Sequence, residues 1–538
     1  MKIFWKIFYS VLAGSLLSIL AIGILVAFIG RRNLYRQNYD KLDVIRNAKA
    51  THIEEEIKNI RTQANFLAQD ISVVSAMRDF SEAFTLLEKE MHTQPAELET
   101  AKKKLQTFYE RNYLPKINKH SEAKYYFEDL CPENPAAIFL QQSYIVDNPN
   151  PLNSKQLLDA ASDGTTYSQV HKKYHPTLKR YLEKFGYYDI FLIDATRQRI
   201  VYSVFKEMDF GKSLNDPLLR ETNFAHSYRE AAVDFGNGSA HLADYRPYYA
   251  SYNQPAAFIS APIYDQEQHL IGALAFQVPI EGINNTMTHE NHWAEIGLGK
   301  TGEVYLIGED MTMRNQARSF VTNKEQFLFN LKQKQVVEEK TLLQIAEYDS
   351  VVGMLPIRTP NVQRALNGES GNMVLTNYLG VKVMSSFSPL VIDDTKWAII
   401  AEMEVSEAFL PLKQIGGGIL LFLLLMLIPV IWFSRHVANS LAKPLIRLAD
   451  DIKHVEQSGD LSRRDQSTGS DEIGLTTAKF HSLLGRWEEK LLEVRQNTEE
   501  IVSSRHSIDI SIVPPLSDKD ILGRVLNEMG LTLLQYHR

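Results

Sequence analysis

The sequence predicts an α+β protein carried on two membrane helices. Three observations predict it. There are two long uncharged stretches, a heptad-type helical stripe directly after the first, and a strand-and-hairpin pattern that occurs twice between them.

The first uncharged stretch, Ile7 to Gly30, has 24 residues. At a rise of about 1.5 Å per residue it exceeds the roughly 30 Å hydrocarbon core of a bilayer. Lys2 and Lys6 precede it, and Arg31 and Arg32 follow. A cleaved signal would have an apolar region of only about 7–15 residues, so this run reads as an uncleaved anchor. The second stretch, Ile415 to Ser434, has 20 residues and contains Gly416, Gly417, Gly418 and Pro429. Membrane helices tolerate both residue types. Arg435, Lys443 and Arg447 follow it, while Lys413 alone precedes it. The positive-inside rule therefore predicts cytoplasmic ends and a large outside domain, and long loops translocate regardless of charge. The predicted divisions are a cytoplasmic start at 1–6, spans at 7–30 and 415–434, and an outside domain at 31–414. Residues 435–538 lie inside.

Composition bounds the rest. The 538 residues are 44% hydrophobic and 23% charged, which excludes a wholly disordered chain and a polytopic channel. With 58 basic against 65 acidic residues the net charge is −7, giving no global electrostatic reason to bind nucleic acid. Cys131 is the single cysteine, so an intrachain disulfide, a cysteine zinc cage and an iron–sulfur cluster are excluded.

The outside domain opens on a helix. Ile53, Ile57, Ile60, Ala64, Leu67, Ile71 and Val74 step by 4, 3, 4, 3, 4, 3. The stripe suits packing on the helix's own domain or a dimer seam leaving the membrane. Strands follow. Ile190–Asp194 and Ile200–Phe205 flank a polar turn, as do Ala257–Tyr264 and Ile271–Val278. The pattern returns at Gly302–Gly308, then Val381–Leu390 and Trp397–Met403. This predicts two copies of one antiparallel module behind a long helix.

An anchor, a long helix, two such modules and a second span together resemble the double Cache sensor domain of bacterial transmembrane receptors. The stretches Phe185–Asp194 and Val201–Glu207, and Gly297–Glu303 at the start of the second module, are similar to a Cache subgroup found on receptors, sensor kinases and cyclases. The resemblance implies two PAS-like modules, a membrane-distal one at about 80–295 and a proximal one at about 296–405. It implies a small-molecule ligand in the distal module. Arg246–Pro247–Tyr248–Tyr249 lies where amino-acid-binding relatives carry an arginine and an aromatic pair. In such a pocket arginine grips a carboxylate and aromatic faces hold the remainder. The position matching the family's ammonium-pairing aspartate is Gln277, which carries no charge. The expected ligand is a small anionic or neutral metabolite contacted by Arg246, Tyr248, Tyr249 and Tyr202, with Gln277 beside them. The plainer alternative makes the tyrosines ordinary strand residues and Arg246 a surface group.

Weaker signals are read as structural. Gly299–Lys300–Thr301 and Gly211–Lys212–Ser213 lack the first glycine of a phosphate loop, having Ala294 and Lys206 there, and read as turns. His289 and His292 could share a helix face, but no further metal ligand is placed by spacing. No cofactor, metal or catalytic set is expected.

On the cytoplasmic side, Leu441, Leu445, Leu448, Ile452 and Val455 form one stripe, and Ile473, Thr477, Phe480, Leu484, Trp487, Leu491 and Val494 form another. Pro444 sits early in the first helix, and Asp471, Glu472 and Gly474 open the second. These features, over 435–490, resemble a HAMP domain, whose parallel four-helix bundle needs a homodimer. Leu516–Gly523 echoes the second half, making 491–538 a second HAMP-like segment or linker. No output module is visible, which implies a non-enzymatic receptor working through a cytoplasmic output protein. The alternatives are the sensory half of a split or shortened histidine kinase or nucleotide cyclase, or a membrane adaptor for a protein partner.

Overall fold

A computed structural model describes residues 2–92, 95–119, 121, 124–233, 239–392, 395–462 and 469–503. Arg31–Pro411 forms one compact unit, and the residues on either side of it form another.

The chain opens on one continuous helix, Lys2–Ala68. Ile53, Ile57, Ile60, Ala64 and Leu67 are all buried against their own unit. The stripe does not continue as predicted. The helix ends at Ala68, and Asp70 Oδ1 accepts from the Ser72 amide at 2.8 Å to start a new helix, Ile71–His92. Ile71 consequently turns outward at 84% exposure, while Val73 and Met77 take its place in the core.

The first module is a five-stranded antiparallel sheet in the order β2-β1-β5-β4-β3. Its strands are β1 (Asp189–Asp194), β2 (Ile200–Ser203), β3 (His241–Tyr248), β4 (Gln254–Tyr264) and β5 (Leu270–Val278). Both predicted hairpins are present, with Leu192 opposite Tyr202 and Ala261 opposite Leu274. One face, through Ile190, Leu192, Tyr202, Ile259 and Phe276, packs on the long helix and on Met77 and Phe80. The other face, through Phe191, Tyr248, Phe258 and Ala275, is covered by helices Pro95–Asn112 and Asn223–Val233.

The second module repeats the design with four strands in the order β6-β9-β8-β7. They are β6 (Glu303–Ile307), β7 (Gly371–Thr376), β8 (Lys382–Ile392) and β9 (Thr395–Glu404). Here β6 pairs with β9 as β1 pairs with β5. The long helix reaches this module through Arg46, whose Nη1 donates to Ser386 Oγ at 2.6 Å and to the Phe387 carbonyl at 3.1 Å. The modules meet at Arg314. It is 1% exposed, and its guanidinium donates to both Asp244 oxygens of β3 at 2.8 and 2.7 Å.

The Gly299–Lys300–Thr301 turn has a structural occupant. Glu407 accepts from the Lys300 amide at 2.8 Å, the Thr301 amide at 2.7 Å and Thr301 Oγ1 at 2.5 Å. Gly299 has φ +60°, and a Cβ there would strike the Glu407 carboxylate. This clip ties the approach to β6 to the segment after β9. His289 and His292 do not share a helix face, because the helix Ile280–Thr288 ends before them with His289 at φ +53°.

In the flanking unit, Leu410–Ser458 is one helix with Pro429 and Pro444 inside it, and Glu472–Ser503 is a second. Among the described residues, two helices carry windows of mean hydropathy 2.6, long and apolar enough to cross a membrane. Asp471 Oδ1 caps the last helix by accepting from the Gly474 amide at 2.7 Å. The echo at Leu516–Gly523 lies outside the described residues.

Candidate functional site

The covered inner face of the first sheet carries the cluster with the clearest chemical potential. Its floor comes from β3 and β5. Tyr248 and Tyr249 are buried at the end of β3, and Gln277 is buried near the end of β5, donating from Nε2 to Ser251 Oγ at 3.3 Å. The charged groups come from the irregular stretch after β2. There the backbone turns back at Gly211, whose φ is +82° and where a Cβ would collide with Ala137. Gln141 Nε2 donates to the carbonyls of Met208 and Phe210 at 3.1 and 2.7 Å, fixing Glu207 and Asp209 in place.

Asp209 Oδ2 accepts from the Tyr248 hydroxyl at 2.5 Å. Glu207 Oε1 pairs with Lys155 Nζ at 3.3 Å. Lys212 Nζ reaches Asp216 only at 3.7 Å. All of these side chains except Asp216 are nearly fully buried, and several of their polar atoms are left over. Glu207 Oε2, Asp209 Oδ1 and the hydroxyls of Tyr113 and Tyr249 are buried without a hydrogen-bond partner. Such groups normally find one, and leaving one unmade costs about 1–3 kcal/mol. Burial raises the Glu207 carboxyl to about 7, against the pull of Lys155, and raises Asp209 to about 6. Burial and these same carboxylates push the Tyr113 and Tyr249 hydroxyls well up.

Asp189 is a neighbour with a structural role. Its Oδ1 accepts from the amides of Ile190, Val204 and Phe205 at 2.7, 2.9 and 3.0 Å, and Oδ2 accepts from Ser203 Oγ at 2.6 Å. It anchors the start of the charged stretch and sits opposite Gln277 in the ladder.

The five residues singled out in the sequence are therefore split. Tyr248, Tyr249 and Gln277 come together on the inner face. Tyr202 points to the opposite face, where its hydroxyl is 2.6 Å from His175 Nδ1, because its register partner Leu192 faces the long helix. Arg246 is exposed at the sheet edge and lines an open cleft of about 660 Å³ with Asp244, His226 and Arg314. It does not join the tyrosines. Lys155, Glu207, Asp209 and Lys212 were missed. The signal for the last three is the run Lys206–Glu207–Met208–Asp209–Phe210–Gly211–Lys212, four charges placed shortly after a strand that is buried throughout; Lys155 has no such signal. Cys131 is half-buried, and burial raises its thiol to about 11, which leaves it inert.

Comparison with known proteins decides the family. The Cache domain model matches residues 31–412. The chain belongs to the Cache-domain family. Its solved structural neighbours include the ligand-binding domain of the Pseudomonas fluorescens chemoreceptor CtaA, in complex with L-leucine. That match has 12% identity and a TM-score of 0.26, covering 60% of this chain and 99% of that one. The ligand-binding domain of the Pseudomonas aeruginosa amino acid chemoreceptor PctB, in complex with L-Arg, matches at 14% identity and a TM-score of 0.27, covering 44% and 80%. The extracellular domain of the putative histidine kinase rpHK1S-Z16 matches at 12% and 0.27, covering 43% and 77%. No curated protein matches the sequence. The two sheets and the long helix that fall within residues 31–412 thus belong to one Cache domain.

Proposed function

We propose that this chain is a two-pass receptor of the cell (inner) membrane that senses a small molecule on the periplasmic or extracellular side, in the first module. The observation that supports it is the set of buried, unpartnered polar atoms around Glu207, Asp209, Tyr113 and Tyr249. A ligand bearing hydrogen-bond donors, such as an ammonium, amide or hydroxyl group, would satisfy the carboxylate oxygens. Its acceptors would face the tyrosine hydroxyls and Lys212. This shifts the expected ligand from an anion toward a neutral, zwitterionic or cationic metabolite.

The relay runs through the helix Leu410–Ser458 and a HAMP-like pair of helices in a homodimer. Supporting this, part of each stripe stays exposed in a single chain, while Leu484 and Thr477 are buried. Leu441, Ile452, Trp487 and Leu491 are 39%, 46%, 48% and 43% exposed. Helices with such stripes gain stability by burying them against a partner. In this reading the chain senses and does not catalyse, and an output protein or domain completes the pathway.

The test is a thermal-shift screen of the full chain in lipid nanodiscs against amino acids, amines, carboxylates and nucleobases. A ligand at a hundredfold excess over Kd adds about 2.7 kcal/mol of stability. A hit lost in Asp209→Asn supports the reading. Silence across all four classes with folded protein removes it.

A further inference from the structure

The second module carries its own buried acidic pair, at the ladder position that corresponds to Asp189 and Gln277 in the first. Glu303 opens β6 and lies directly opposite Glu402 of β9, and both are buried on the helix-covered face. Residues directly opposite in an antiparallel pair hold their Cβ atoms about 4.5–5.5 Å apart, and like charges placed so repel. Among the described residues neither carboxylate forms an ion pair. Glu303 Oε1 accepts from the Arg318 amide at 2.5 Å, and Oε2 accepts from the Tyr378 hydroxyl at 3.3 Å. Glu402 Oε1 accepts from Asn361 Nδ2 at 2.9 Å, and the same nitrogen donates to Ser385 Oγ at 2.9 Å.

We propose that the Glu303–Glu402 pair is a proton-binding site that makes the second module responsive to the pH outside the membrane. Two bare charges on a buried sheet face are too costly to persist. Asn361 Oδ1, fully buried, has no hydrogen-bond partner although Nδ2 of the same amide bonds Glu402, and a protonated carboxyl would offer the donor that an ionised one lacks. The groups facing the pair are few. Tyr305 of β6 and Tyr378 of the β7–β8 turn are hydroxyls, and burial with the neighbouring carboxylates pushes both well up, so neither ionises first. The Arg318 guanidinium donates to the carbonyls of Gly299 and Gly302, and its charge pulls the Glu303 carboxyl down, though less than burial pushes it up. Arg364 lies over the Phe387 ring and pairs with Glu369. Burial raises both glutamates to about 7.

The location gives the proton a consequence. Glu303 follows Thr301, and Glu402 precedes Glu407, so the pair sits on the two strands that the Glu407 clip joins just before the helix Leu410–Ser458. Losing the proton sets two charges against each other there and loosens β6 from β9.

The sign follows from linkage. Raised carboxyl values mean that the folded module holds protons the unfolded chain releases, so stability falls as pH rises from the ordinary glutamate range to about 7, then levels off. The experiment is hydrogen exchange on the full chain in nanodiscs between pH 5 and 8.5, corrected for intrinsic rates. The expected result is loss of β6 and β9 protection, up to about tenfold per pH unit for one proton, and a flat profile in Glu303→Gln/Glu402→Gln. A flat wild-type profile, or one the double variant leaves unchanged, overturns the proposal. Protection that rises on adding Ca²⁺ and not on acidification overturns it in favour of a metal site. If the double variant does not fold, infrared spectra of Glu402→Gln decide. A protonated-carboxyl band present in wild type at neutral pH and reduced in the variant supports the proposal, and an unchanged band overturns it.

Discussion

Asp209 sets the chemistry of the first-module cluster, with one oxygen on the Tyr248 hydroxyl and the other unpartnered. Tyr248→Phe removes a hydrogen bond to a charged acceptor, worth about 1.5–3 kcal/mol. We expect the variant's melting temperature to drop in calorimetry, and Asp209→Asn/Tyr248→Phe to recover part of the loss. The pH sense is also fixed at this scale. Glu207 and Asp209 are raised to about 7 and 6, so both favour the folded state most at low pH and lose that contribution as pH climbs to about 7. A bound cationic group would reverse this by favouring the ionised acids, so its affinity should rise over the same window in calorimetric titrations. The family resemblance pointed to Tyr248, Tyr249 and Gln277, which the fold places together at the ends of β3 and β5 and in the turn that follows β3. Sequence reading missed Glu207 and Asp209 because the stretch carrying them has no periodicity and turns at positive φ through Lys206 and Gly211. It grouped Tyr202 with Tyr248 and Tyr249 although Tyr202 lies on the opposite face, because alternation along a strand does not say which of its two faces another strand's residues share.

Among the elements, the strands were the most legible. Alternation and turn chemistry found β1, β2, β4, β5, β6, β8 and β9. β3 and β7 were missed: β3 breaks its alternation at Arg246–Pro247, and only one of the six residues of β7 is buried, so its apolar signal is weak. The heptad stripe predicted a helix through Val74, and the Asp70 cap stops it at Ala68. Neither of the two links between elements could be read from spacing, since their partners lie 70 and 106 residues apart or more. The Arg314–Asp244 pair joins the modules through a nearly buried guanidinium. Arg314 also pairs with Asp310 at 2.9 Å, so Asp244→Ala should lower the melting temperature but cost less than the about 3–5 kcal/mol lost when a buried charge is left wholly unpaired, and Arg314→Met/Asp244→Leu should recover part of the loss. The Glu407 clip is more exposed. Glu407→Gln keeps its length and loses charge-assisted acceptance, and we expect faster hydrogen exchange at Lys300 and Thr301 with the core strands unchanged.

For the whole molecule, sequence periodicity gave two modules behind one helix, flanked by apolar helices, and the Cache match covers residues 31–412. The stripe residues Leu441, Ile452 and Trp487 belong to this scale, because they stay exposed although the two helices bury Leu484 and Thr477. In a Cys131→Ser background, cysteines at 441 and 452 should crosslink two chains in membranes, and a ligand should change the yields. Monomers under all conditions would remove the dimer from the relay. The central claim is that the inner face of the first sheet binds the signal molecule. The most direct measurement is calorimetric titration of the best thermal-shift ligand into the full chain in nanodiscs, beside Asp209→Asn, Tyr249→Phe and Arg246→Ala. The account predicts affinity losses of about tenfold or more for the first two and little change for Arg246→Ala. Unchanged binding in Asp209→Asn and Tyr249→Phe, with loss only in Arg246→Ala, would move the site to the open cleft and contradict it.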